Sequence, residues 1–127
     1  MLDHAGIPVS NFDRAKDFYQ QALSPLGIAI VREVTAAEHG HNAAGFGSDG
    51  KAFFWIGESK LPHSPVHIAF AANSRAEVDA FHNAGLSAGG VDNGAPGLRP
   101  QYHPSYYGAF IIDPDGNNIE AVCHKPA

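Results

Sequence analysis

The stretch His67-Ile-Ala-Phe-Ala-Ala-Asn-Ser-Arg-Ala-Glu-Val-Asp-Ala-Phe-His-Asn-Ala-Gly85 reads as a short apolar strand followed by a helix, and it repeats the plan on which the chain begins. There, His4-Ala-Gly-Ile-Pro-Val9 leads through Ser10-Asn-Phe-Asp13 into Arg14-Ala-Lys-Asp-Phe-Tyr-Gln-Gln-Ala-Leu23, whose apolar residues recur at helical spacing. Ser10 with Asp13 and Ser74 with Glu77 both have the spacing of a capping box, in which a hydroxyl accepts from early helical N–H groups and the acid reaches back. Gly27 and Gly85 follow the helical stretches and predict their ends, where the chain leaves through a left-handed conformation.

Outward from these segments the same order continues twice. Strands are expected over 28–32, 43–47 and 51–56, then over 106–112 and 117–124. The turn signals Ser48-Asp-Gly50 and Asp113-Pro-Asp-Gly116 stand at matching places. Residues 85–104 are rich in Gly and Pro and too long for a mere connection, so an irregular strand and a loop over a ligand site are both expected there. The fold class is α+β: two β-α-β-β-β modules, about 1–57 and 66–127, joined by a linker over 58–65 within one domain of 127 residues.

Side chains alternate across a strand, so each strand can be tested for what its two faces carry. His4 shares a face with Leu2 and Gly6, His67 with Ala69 and Ala71, and Glu120 with Asn118 and Val122. The opposite faces are apolar and suited to lie under helices. Each of the three strands therefore presents one strong metal ligand or base among mostly small neighbours, as a concave sheet enclosing a ligand requires. Two imidazoles and a carboxylate hold Fe, Mn, Ni or Zn as a divalent ion while leaving positions open for substrate.

Bulk properties exclude several classes. With 44% hydrophobic and 17% charged residues, the chain has the composition of a globular protein rather than a disordered one. A net charge of -5 and the lack of a basic stripe argue against nucleic acid. No apolar run reaches the roughly 20 residues of a membrane-spanning helix. The single cysteine, Cys123, cannot form an internal disulfide, and the start MLDHAGIPVS lacks the regions of a secretory signal, which together predict a reducing cytoplasm.

These residues resemble the vicinal-oxygen-chelate superfamily, which includes glyoxalases, bleomycin-resistance proteins and ring-cleaving dioxygenases. The carriers are His4 with Phe18-Tyr19, the segment His67-Ile-Ala-Phe70, and Asp113-Pro-Asp-Gly-Asn-Asn-Ile-Glu120, and they span nearly the whole chain. The resemblance implies one divalent metal on His4, His67 and Glu120, paired modules whose sheets curl around it, and a homodimer in which the metal is held within one chain or shared between two. Glyoxalase I members carry a fourth ligand, a glutamate on the last strand of the first module. Aligning Asp49-Gly50 with Asp115-Gly116 puts Phe54 there, which argues against glyoxalase I chemistry. The expected activity is that of a metal-dependent lyase, dioxygenase or thiol transferase on a small molecule with vicinal oxygens. The alternative is a protein that sequesters such a molecule.

Around that centre, His103, Tyr102 and Tyr106 are the candidate acid/base or orienting groups. Arg99 suits a carboxylate or phosphate on the substrate. Phe54, Trp55 and Tyr107 are candidate substrate-binding walls.

Overall fold

The computed structural model describes residues 1–127. Its order is β1 Ala5–Val9, α1 Phe12–Leu23, β2 Ala29–Val34, α2 Ala36–His39, β3 Ala43–Ser48, β4 Lys51–Glu58, β5 His67–Ala71, α3 Arg75–Ser87, β6 Val91–Leu98, β7 Tyr107–Ile112 and β8 Asn118–Cys123. Strands β1–β4 form one sheet in the order β1-β4-β3-β2, and β5–β8 a second in the order β5-β8-β7-β6. In each, the first strand runs parallel to the last and the other pairs are antiparallel. The repeat in the sequence is thus a repeat of topology. The Gly/Pro-rich stretch holds the irregular strand expected of it, β6, and then a loop, 99–106, closed where Arg99 N–H donates to the Tyr106 carbonyl at 2.8 Å.

The two helices start by the expected chemistry, one of them a residue late. Ser74 caps α3 by accepting from Glu77 N–H at 3.2 Å, and Glu77 accepts from Asn73 N–H at 2.9 Å. In the first module Asn11, not Ser10, is the cap, accepting from Arg14 N–H at 3.0 Å. Ser10 instead donates its N–H to Asp115 of the second module at 3.1 Å. Gly27 does end its helical segment in the left-handed region, at φ 75°. Gly85 does not: α3 runs on to Ser87 and the chain turns at Gly89, φ 100°. Gly85 lacks a side chain because Ile111 packs there, and a Cβ would lie 3.2 Å from it.

One core joins the two halves. Twenty-three buried residues, drawn from both sheets and from α1 and α3, form a single cluster. The inner faces of the sheets supply Val9, Phe46, Phe54 and Ile56 on one side and Phe70, Ile111, Ile119 and Ala121 on the other. Tyr19 of α1 donates its hydroxyl to Asp113 of the closing β7–β8 turn, and the same carboxylate accepts from Asn117 Nδ2 at 3.0 Å. Of the residues singled out from the sequence, His67, Glu120 and Tyr106 gather on the outer side of the second sheet, whereas Phe54 and Tyr107 face inward.

Candidate metal-binding site

On the second sheet, Ala69 pairs with Glu120 and Glu120 with Phe110, so strand alternation sets His67, Glu120 and Phe110 on one outer face. His67 Nε2 lies 2.8 Å from Glu120 Oε1. Tyr106 donates its hydroxyl to the other oxygen, Oε2. Glu120 is only 1% exposed, and a buried carboxylate is tolerable because both oxygens are engaged. Its burial first, then the hydrogen bond to Glu120 and that residue's charge, push the Tyr106 phenol well above its ordinary value of 10, which keeps it a hydrogen-bond donor at physiological pH. His67, Tyr102, Tyr106, Phe110 and Glu120 line a pocket of about 350 Å³.

The loop 99–106 supplies the rim. Tyr102 is 61% exposed and packs edge-on against Tyr106, ring centres 4.9 Å apart. His103 Nδ1 accepts from Ser105 N–H at 3.1 Å, so in the neutral ring the proton sits on Nε2 and is donated to His124 Nδ1 at 2.8 Å. Both imidazoles touch the Tyr106 ring, at 5.5 and 5.3 Å between centres. His103, Tyr102 and Tyr106 therefore cluster with Glu120, and His124 joins them. Arg99 stacks over Phe110 at 5.4 Å while donating to the carbonyls of Ala95 and Gly97 at 2.8 and 2.9 Å.

Three other candidates are placed elsewhere. His4 is exposed and its Nδ1 lies 2.7 Å from Asp3, which also binds Lys51 at 2.6 Å. Within one chain it joins neither His67 nor Glu120, and no three His, Cys, Asp or Glu residues gather in a metal-holding group. Tyr107 points inward, donating to Asp79 of α3 at 2.6 Å beneath Arg75, and cannot line the outer face. Phe54 is 1% exposed, its ring 5.1 Å from both Tyr19 and Phe70 in the core.

The misplacement of Phe54 has a definite cause. The β3–β4 hairpin holds a bulge: Phe46 pairs with Phe54, yet Gly47 pairs with Ala52, leaving Phe53 as an extra residue. Counting from the turn is therefore one residue short. In the second sheet the residue two beyond His67, Ala69, pairs with Glu120; in the first, the residue two beyond His4, Gly6, pairs with Trp55. Trp55 is the counterpart of Glu120. Its indole lies across Gly45, where a Cβ would come within 2.8 Å of the ring. The residue at this place is therefore Trp55 and not Phe54, as counting from the turn had put it. Nothing in the sequence marked the bulge except Gly47, where a side chain would overlap the Lys51 carbonyl.

A family model described as the Glyoxalase/Bleomycin resistance protein/Dioxygenase superfamily matches residues 1–121. The crystal structure of a glyoxalase/bleomycin resistance protein from Albidiferax ferrireducens T118 is 30% identical and superposes with a TM-score of 0.79 over 98% of each chain. A family enzyme from Burkholderia phytofirmans PsJN, 19% identical, gives a TM-score of 0.70 over 98% of each chain. A mutant glyoxalase I from Zea mays, 20% identical, gives 0.71 over 95% of this chain but only 46% of its own length. At these lower identities the likeness is one of fold. None of the curated proteins matches the chain.

Proposed function

Because the chain belongs to the glyoxalase/bleomycin resistance protein/dioxygenase superfamily, we propose that it is a metal-dependent enzyme acting on a small molecule that presents two neighbouring oxygens. The observation that carries this reading is the His67–Glu120 pair: an exposed imidazole against a buried carboxylate, opening into a pocket of ligand size. One imidazole nitrogen and one carboxylate oxygen converge there, which fits a divalent ion only as part of a set. We assign the missing ligand to His4 of a second copy of the chain, since His4 of the same chain is engaged by Asp3 and no three-ligand group forms within one chain. A divalent ion so held supplies Lewis acidity toward the substrate oxygens.

The chain's own residues perform the remaining tasks. Tyr106, fixed as a donor, orients Glu120 and limits how far the carboxylate can swing. His103 and His124 form a hydrogen-bonded pair on the rim that can pass a proton between Nε2 of one and Nδ1 of the other, near where substrate enters. Arg99 uses two of its donors on backbone carbonyls and offers its remaining face to an anionic group. Tyr102 covers the opening.

Elemental analysis of the protein purified without chelator tests this. Native protein is expected to retain one transition metal per site, and His67→Ala, Glu120→Ala and His4→Ala each to lose it while remaining folded. Unchanged metal content in the first two removes the site. A second reading, sequestration of a small molecule without chemistry, is favoured by one observation: no three-ligand group exists within the single chain. Metal-free native protein that still binds small molecules would establish it.

A further inference from the structure

Asp3 and His4 stand just before β1, whose first residue is Ala5, so no strand pairing holds them. Their side chains are 69% and 58% exposed. The imidazole is fixed instead by a chain of polar contacts that crosses from the neighbouring strand. Lys51, the first residue of β4, has its Nζ 2.6 Å from Asp3 Oδ1, and Asp3 Oδ2 lies 2.7 Å from His4 Nδ1. One oxygen of the carboxylate is thus anchored to β4 while the other holds the ring.

These contacts decide which nitrogen of His4 is free. An ionised carboxylate only accepts hydrogen bonds, so in the neutral ring the proton sits on Nδ1 and Nε2 keeps its lone pair. Nδ1 is the only nitrogen of His4 with a partner in the chain. At His67 the nitrogen turned toward Glu120 is likewise Nε2.

We propose that Asp3 is a positioning residue: anchored by Lys51, it holds His4 in the Nδ1–H tautomer and in one orientation, with Nε2 offered to a divalent ion. The proposal rests on the assignment of His4 as a metal ligand and says how that ligand is prepared. Two physical arguments carry it. A carboxylate that accepts from the far nitrogen of a ligating imidazole fixes the ring and makes the ligand nitrogen more basic. An exposed ion pair, by contrast, adds little to stability, so Asp3 and Lys51 contribute more by directing His4 than by holding the fold.

The first arm of the test needs no metal. Proton–nitrogen correlation spectra of the metal-free protein are recorded at about pH 8, where an ordinary imidazole is neutral, with His4 identified by the loss of its signals in His4→Ala. The native ring should be the Nδ1–H tautomer. In Asp3→Ala it should become a mixture with the Nε2–H form, while the denaturant midpoint stays at the native value. The second arm titrates Zn(II) in competition with a chromophoric chelator. Asp3→Ala should bind Zn(II) about 10- to 100-fold less tightly than the native protein. Asp3→Asn, which keeps an acceptor oxygen and loses the charge, should retain the tautomer and fall between the two.

A native ring found as the Nε2–H tautomer overturns the proposal, whatever the metal does. Equal Zn(II) affinity in Asp3→Ala and the native protein also overturns it, and leaves the metal reading intact where His4→Ala binds Zn(II) weakly. Native Zn(II) affinity in His4→Ala removes the ligand assignment and the proposal together. Asp3→Asn as weak as Asp3→Ala, with the native tautomer retained, marks an effect of charge alone and overturns the positioning role.

Discussion

Glu120 shows how much one side chain can depend on another. Its carboxylate is buried, and Tyr106 and His67 each engage one oxygen. Tyr106→Phe removes one partner and leaves a buried oxygen unpaired, which costs about 1–3 kcal/mol in a denaturant titration. If Tyr106 also orients a metal ligand, the same variant should retain metal about 10- to 100-fold less tightly, a change that a merely structural role would not produce. Asp92 offers a pH prediction. The hydrogen bond from His82, at 2.9 Å, and then that from Gly94 N–H hold its carboxyl below the ordinary value of 3.8. A depressed folded value stabilises the protein above the unfolded one and is lost as pH falls through the folded one. Asp92→Asn should therefore lower the denaturant midpoint near neutral pH, and the difference from the parent should close as the pH drops below 3.8.

At the scale of elements, the hairpin β3–β4 is the sensitive part. Gly47→Ala would drive a methyl group into the Lys51 carbonyl where the bulge brings the strands together. A destabilisation of at least about 1–3 kcal/mol is expected, read by thermal or chemical unfolding. The same hairpin marks how far the sequence can be read. Strands, helices and the Ser74 cap were legible because they rest on local chemistry: alternation, helical spacing and an S-x-x-E box. Asn11 displaced Ser10 as a cap because both residue types serve and the choice depended on Asp115, 105 positions away. The placement of Glu120 with His67 followed from parity alone, since β8 has no irregularity. Trp55 did not follow, because a bulge changes parity and leaves no periodic signal. Tyr107 faces inward for a related reason: it is the first residue of β7 and pairs with Cys123, so the register of the strand, which no local signal marks, decides its direction.

For the whole molecule, the single core and the Tyr19–Asp113 contact couple the halves. Tyr19→Phe should cost about 1.5–3 kcal/mol, as expected for a hydrogen bond to a charged group, yet unfolding should stay a single transition at every probe. The proposed sharing of the metal between two copies makes a further demand on pairs of molecules. Mixing His4→Ala chains with Glu120→Ala chains, unfolding and refolding them together, should restore about a quarter of the metal sites, because each mixed dimer rebuilds one intact site from complementary chains. No recovery means the ligands are not exchanged between copies. The extra residue at Phe53 bears on how the two halves correspond as well. An insertion turns over the faces of a strand segment in one step, sending one aromatic ring inward and its neighbour outward, whereas a substitution alters one side chain and leaves its direction alone. The two modules can therefore be matched residue by residue along the chain or across the sheet, and the two ways of matching name different partners for Glu120.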